Sequence, residues 1–151
     1  MNRSQRAAEA FLGGYNCAQA VAVAFSDLMG MEEASVARLA SPFGGGMGRL
    51  REVCGAVSGM LLVLGSLYGY DTPGDDTVKM ALYHEVQDLA GKFRELHGTI
   101  ICRELLENPS SDPNPTPRTP EFYKTRPCAR FVATAAALVE AFIEEHPLEK
   151  G

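Results

Sequence analysis

The run CGAVSGMLLVLGSLYG, residues 54–69, is apolar on nearly every side. A helix of that kind is enclosed by others and does not lie on a surface, so we expect a central buried helix here. Gly55 and Gly59 stand four apart on one of its faces, with Ala56 and Ser58 close by. Each glycine costs a helix roughly 1 kcal/mol in propensity, and the return is that another backbone can approach closely.

Outward from this run the chain reads as helix after helix, and no alternating strand pattern interrupts it. Toward the N-terminus, Ser4 is a candidate cap for a first helix reaching Phe11, ended by Gly13 and Gly14. Asn16 caps a second helix that Gly30 closes, and Glu32 to Leu39 forms a brief third, stopped at Ser41-Pro42. FGGGMGRLREV then connects to Cys54 as a glycine-rich loop. Beyond the central run, Asp71 to Asp76 is a turn, and Asp75 or Asp76 caps a long helix to about Leu96. Val78, Leu82, Val86, Leu89 and Phe93 give that helix one apolar stripe, and Gly98 ends it. The last helix carries Phe131, Val132, Ala135, Leu138, Val139 and Phe142 on one face and stops before Pro147. The expected fold is an all-α, single-domain helical bundle over residues 1–151.

One segment breaks the pattern. Between Asn108 and Pro127 six prolines exclude a regular helix. A loop of that length is either an exposed excursion or a lid or partner-binding arm, and Phe122 and Tyr123 are placed to pin its end to the body.

The 151 residues are 46% hydrophobic and 22% charged, ordinary values for one globular domain. A net charge of −5 argues against general nucleic-acid binding, which needs a basic surface to displace counterions. The N-terminal residues MNRSQRAAEAFLGG contain no apolar core of a secretory signal, and Ala56 to Leu67 is too short to span a bilayer. We therefore expect a cytoplasmic protein without a membrane span. There, permanent disulfides are rare and cysteines more often serve metal or redox chemistry.

The four cysteines all stand where a helix is expected to begin: Cys17, Cys54, Cys102 and, after Pro127, Cys128. A helix N-terminus offers unpaired N–H groups and roughly half a positive charge, which favours a thiolate and lowers its pKa. No C-x-x-C pair occurs, so a shared site has to be assembled by the fold from separate helices. A buried cysteine that merely packs as a small hydrophobe is the plain alternative. The charge distribution favours a site. Arg49, Arg51, Arg103, Lys124, Arg126 and Arg130 flank the cysteines against Glu52, Glu104 and Glu107, although acids outnumber bases by 19 to 14 overall. Four thiolates suit an iron–sulfur cluster or tetrahedral zinc. We take Cys17, Cys54, Cys102 and Cys128 as the metal ligands. Gly44, Gly45, Gly46 and Gly55 are the residues whose bare backbone can approach a cofactor and donate N–H groups to sulfur, with a simple tight connector as the alternative for the loop.

With Cys54-Gly55-Ala56-Val57-Ser58-Gly59, the context Tyr15-Asn16-Cys17-Ala18-Gln19-Ala20, the Phe-Gly-Gly-Gly-Met-Gly lead-in and Gly98 to Leu106, the chain resembles a bacterial and archaeal family of redox-active proteins labelled C_GCAxxG_C_C. The resemblance runs from about Gly14 to Phe131. It implies redox work at a four-cysteine site without naming a substrate. The family is similar to the domain of split-Soret cytochromes c, a helical fold that carries an iron–sulfur cluster besides haems. The C-x-x-C-H haem attachment motif is absent here, so covalent haem does not carry over. The proline-rich insertion departs from the family pattern.

The resulting expectation is an electron-transfer or redox-sensing protein holding an iron–sulfur cluster, [2Fe–2S] in the leading version, and serving an unidentified electron donor or acceptor protein. A thiol–disulfide enzyme and a structural zinc module are the alternatives, and a homodimer is compatible with an apolar helical surface. His84 and Asp88 share a helix face but read as a solvated pair; His97 could reach the site near Cys102, or sit at a helix end where positive charge is favourable. His146 lies near the chain's end, and Tyr15 and Tyr68 either line the site or pack in the core.

Overall fold

The computed structural model describes residues 1–106 and 109–149. Glu107 and Asn108, the latter the first residue of the proline-rich segment, lie outside the described residues, as does the side chain of Lys124. Among the described residues the fold is all-α, with an isolated antiparallel bridge between Val53 and Ile101.

The helices are α1 (Arg3–Leu12), α2 (Cys17–Val23), α3 (Ser26–Met29), α4 (Glu33–Ala40), a short turn α5 (Gly44–Met47), α6 (Gly55–Tyr68), α7 (Asp76–His97), α8 (Cys102–Leu105), α9 (Pro120–Thr125) and α10 (Cys128–Glu145). Two of them open on the same device. The Asn2 side chain accepts from the Gln5 N–H while the Gln5 side chain accepts from the Asn2 N–H, at 2.8 and 3.1 Å. Asn16 and Gln19 repeat this reciprocal cap at 2.9 and 3.1 Å. The cap of α1 is therefore Asn2 and not Ser4, because only Asn2 has the glutamine three residues on.

The expected second helix is divided. It stops at Val23, Phe25 turns to φ −118° and ψ 9°, and α3 carries the chain on to Gly30. The break seats Phe25 fully inside and leaves the Ala24 carbonyl to accept from Arg3 Nη1 at 2.8 Å. After α4 the chain passes through a 3-10 turn, Ser41–Phe43, with Pro42 at its start.

Helices α2, α6 and α10 pack on one another, with α1 against α2 and α10, α4 against α2, and α7 against α6 and α10. Val21, Met60, Leu64, Leu89, Phe93, Val132 and Val139 are fully buried between them. Each contributes roughly 1.5–3 kcal/mol relative to an exposed position. The contact between α6 and α2 is unusually close at Gly59, where a Cβ would lie 2.6 Å from the Ala18 carbonyl oxygen. The small residues on that face of α6 thus set the distance between the two helices.

The stripe on α7 is buried only in its second half. Leu89 and Phe93 are enclosed, Leu82 and Val86 are half-buried, and Val78 is 41% exposed. At 22 residues α7 is about 33 Å long, and it runs beyond the 14-residue α6 against which it packs.

Candidate redox site

Each cysteine occupies a helix start. Cys17 is the first residue of α2, below the Asn16 cap; Cys54 is the N-cap of α6; Cys102 opens α8 and Cys128 opens α10. Cys54 and Cys102, far apart in sequence, are brought alongside by the antiparallel bridge. The Cys54 N–H donates to the Ile100 carbonyl at 2.8 Å and the Cys102 N–H to the Glu52 carbonyl at 2.6 Å. The Arg103 N–H adds a bond to the Arg51 carbonyl at 3.2 Å. Cys17 reaches the same place because position 55 is glycine: a Cβ there would stand 3.0 Å from the Cys17 sulfur. A negative charge on Cys17 opposes ionisation of Cys54, Cys102 and Cys128 alike, so its sulfur is within electrostatic reach of all three.

The glycine loop is wound left-handed. Gly45, Gly46, Met47, Gly48 and Arg49 follow one another at φ 67°, 72°, 70°, 56° and 69°, and Arg51 returns to φ 63°. Left-handed residues other than glycine cost roughly 1–2 kcal/mol each, so a glycine-rich sequence is the physical condition for this turn. Its floor touches the site. A Cβ on Gly46 would lie 2.8 Å from Cys102 Cβ, and one on Gly44 2.5 Å from the Asn16 side-chain nitrogen.

The thiols correct one expectation. Burial pushes Cys54 up, and it pushes Cys102 up and Cys128 up to about 12. The helix-start effect is present in sign, since the Ala56 and Val57 N–H groups pull Cys54 the other way, but desolvation outweighs it. The four cysteines are free thiols. Among the described residues no three His, Cys, Asp or Glu side chains stand in a metal-holding arrangement.

Cations surround the thiols. Arg51 is 5% exposed; its Nη1 donates to Cys102 Sγ at 3.7 Å, its Nε to the Ser110 carbonyl at 2.8 Å, and its Nη2 has no hydrogen-bond partner. Arg49 holds the proline-rich segment through the Asp112 carbonyl at 2.5 Å and Thr116 Oγ1 at 2.9 Å. Arg118, from within that segment, donates to the carbonyls of Phe11 and Tyr15 at 3.0 and 2.9 Å and lies 4.5 Å over the Phe11 ring. Phe122 and Tyr123 complete the anchor, with Tyr123 edge-on to Phe11 at 6.1 Å. The segment therefore runs across the cysteine site.

Residues 15–142 match the family described as "Putative redox-active protein (C_GCAxxG_C_C)". The chain belongs to this family. No curated protein and no solved structure matches it. The matched span contains the four cysteines of the family's pattern, and it also contains the proline-rich segment and the left-handed glycine turn.

Other candidates fall elsewhere. His97, in the last turn of α7, bonds Thr134 Oγ1 at 3.0 Å and packs between Phe93 and Phe131; burial, then Arg130, holds its pKa below the usual value. Asp88 pairs with Lys92 at 3.2 Å, and His146 stacks on Phe142. The Tyr15 hydroxyl donates to Glu33 and that of Tyr68 to the His146 carbonyl. Of the flanking cations, Arg103 pairs with Glu52 at 3.0 Å and Arg130 lies over Phe131. Arg118 is too far in sequence from any cysteine for proximity to mark it. The available signal was an arginine standing amid prolines, where little but a specific contact would hold it.

Proposed function

We propose that Cys17, Cys54, Cys102 and Cys128 hold an iron–sulfur centre, [2Fe–2S] in the version argued here, and that the protein transfers single electrons with a partner protein in the reducing cytoplasm. The observation that carries this reading is the common neighbourhood of the thiols, each at a helix start, with the Cys17 sulfur against Gly55 beside Cys54, and Cys54 and Cys102 held alongside by the bonds of the bridge. The chemistry of the donor set suits the group: soft sulfur ligands, with a buried arginine beside Cys102 whose Nη2 lacks a partner. The thiols as they stand are not drawn into a metal-holding arrangement, and binding would have to close them onto the centre. Bound there, the centre would supply a reversible one-electron couple. The chain's own residues would do the rest. Arg51 and the N–H groups at the start of α6 would offset negative charge on sulfur, and the glycine turn would cover the side at Cys102.

The same burial disfavours the thiol–disulfide alternative. A nucleophilic thiol needs its thiolate near neutral pH, and burial holds Cys54, Cys102 and Cys128 protonated. A metal reverses that balance, because a coordinating thiol loses its proton outright.

The test is anaerobic reconstitution with iron and sulfide, followed by visible absorption and metal analysis. We expect brown protein with about two irons and two sulfides per chain, lost in any single Cys→Ser variant. Protein that stays colourless and holds neither ion overturns the reading, and stoichiometric zinc without redox activity selects the structural zinc module.

A further inference from the structure

A cavity of about 310 Å³ is lined by Cys17 and Cys128 and by Pro113, Pro115 and Thr116 of the proline-rich segment. That is the lower end of the range for small-molecule sites, about 300–1,000 Å³. Arg49, Arg51, Arg118 and Arg126 all line it. Among the described residues no carboxylate forms an ion pair with any of the four; the ion pairs present are those of Arg3, Arg6, Lys92 and Arg103. Asp112 is near enough to act on Arg49 through space, but its carboxylate takes the Asn114 N–H at 2.9 Å and it bonds Arg49 only through its backbone carbonyl. Like charges gathered this closely repel one another unless something negative stands among them. Arg51 adds an independent sign, since it is 5% exposed and its Nη2 points to no acceptor in the protein.

We infer that this cavity binds a small dianion of metabolite size, an oxyanion such as phosphate or sulfate or a short dicarboxylate, held by Arg51 and flanked by Arg49, Arg118 and Arg126. A guanidinium presents its N–H groups as a planar fork that matches two oxygens of such a group, and four arginines supply more charge than one carboxylate would need. The thiols do not account for that charge. An oxidised [2Fe–2S] centre on four thiolates carries about −2, which leaves a surplus among the four guanidinium groups. The dianion thus sits beside the cysteine site, inside the proline-rich segment. As the ligand of a redox centre it rests on the function proposed above. As an anion site it does not.

The experiment is calorimetric titration at pH 7 with inorganic phosphate, sulfate and succinate at constant ionic strength set by chloride, on reconstituted protein and on protein kept free of iron. We expect one saturable site per chain for at least one of the three probes in both preparations. Arg51→Met and Arg126→Gln should each weaken it by about tenfold or more, whereas Arg38→Gln, on the exposed face of α4, should leave it unchanged. Arg126 is half-buried on the cavity wall, so its variant keeps the test decisive if Arg51→Met does not fold. Absence of saturable binding by all three probes, or binding that Arg126→Gln leaves intact, overturns the inference. Anion binding in protein that never takes up iron leaves it standing while the metal centre fails; iron uptake without anion binding does the reverse.

Discussion

The sulfur of Cys17 lies 3.0 Å from the point where a Cβ on Gly55 would stand. Two helix starts, those of α2 and α6, therefore share one volume, and only a residue without a side chain at position 55 leaves room for the thiol. The same Cβ would lie 2.9 Å from the Phe43 carbonyl oxygen, which is backbone and cannot turn aside.

Gly55→Ala is accordingly expected to push Cys17 away from Cys54. Iron per chain after reconstitution should fall well below the wild-type value, while the far-ultraviolet circular dichroism stays helical. The overpacking should cost about 1–3 kcal/mol in a denaturant titration. Full iron loading in this variant would contradict the shared site.

Within α6, two further glycines should respond with opposite signs. A Cβ on Gly59 would stand 2.6 Å from the Ala18 carbonyl oxygen, so Gly59→Ala should destabilise by about 1–3 kcal/mol as α6 is forced off α2. Nothing lies within 4 Å of a Cβ on Gly65, so Gly65→Ala should stabilise by about 0.5–1 kcal/mol through helix propensity alone. Thermal unfolding of the two variants checks the contrast.

The buried thiols make metal-free, reduced protein sensitive to alkali. Burial raises the folded pKa of Cys54, Cys102 and Cys128 above the unfolded value, so the folded state holds these protons more tightly. That contribution to stability is complete below about pH 8.5 and is lost as pH rises, toward about 12 for Cys128. Denaturation midpoints measured from pH 8 upward should fall in the wild type and fall less steeply in Cys128→Ala.

At the acid end the corresponding group is Asp27. Its hydrogen bonds from Arg3, one at 2.9 Å, hold its carboxyl below the usual range, with Arg6 adding to the effect. A depressed folded pKa gives stability that is present above about pH 4 and disappears as pH falls through the folded value. The carboxylate is 51% exposed, so the effect is small and screened by salt. Asp27→Asn should flatten the acid limb of the stability profile slightly, and a carboxyl pKa at or above the usual value in carbon-detected NMR would refute the pairing.

Periodicity and punctuation made much of the fold legible. The all-helical class, the cap at Asp75, the stop at Gly98 and the four cysteines at helix starts are local matters, set by a few neighbouring residues each. The Asn-x-x-Gln cap at Asn2 is equally local, and the glutamine three residues on is what distinguishes it from Ser4. The small face of α6 at Gly55 and Gly59 was readable as a close approach, though not which helix would make it.

Other features depend on residues that meet only when the chain is folded. The titration of the thiols is one: helix starts argue for easier ionisation, and enclosure by distant elements overrides them, because removing a charge from water costs more than a few N–H groups return. The position of the proline-rich segment is another. Its prolines exclude a helix across most of it, and among its described residues only Pro120–Thr125, opening on a proline under the Thr119 cap, coils as α9 against that expectation. Arg49, Arg51 and Arg118 carry the segment across the cysteines by bonds to residues remote in sequence. Sequence alone determined which residues are available and how each short stretch coils. Which thiols face which cations was decided by packing, since that depends on the distances between helices, and those are set by contacts no local stretch contains.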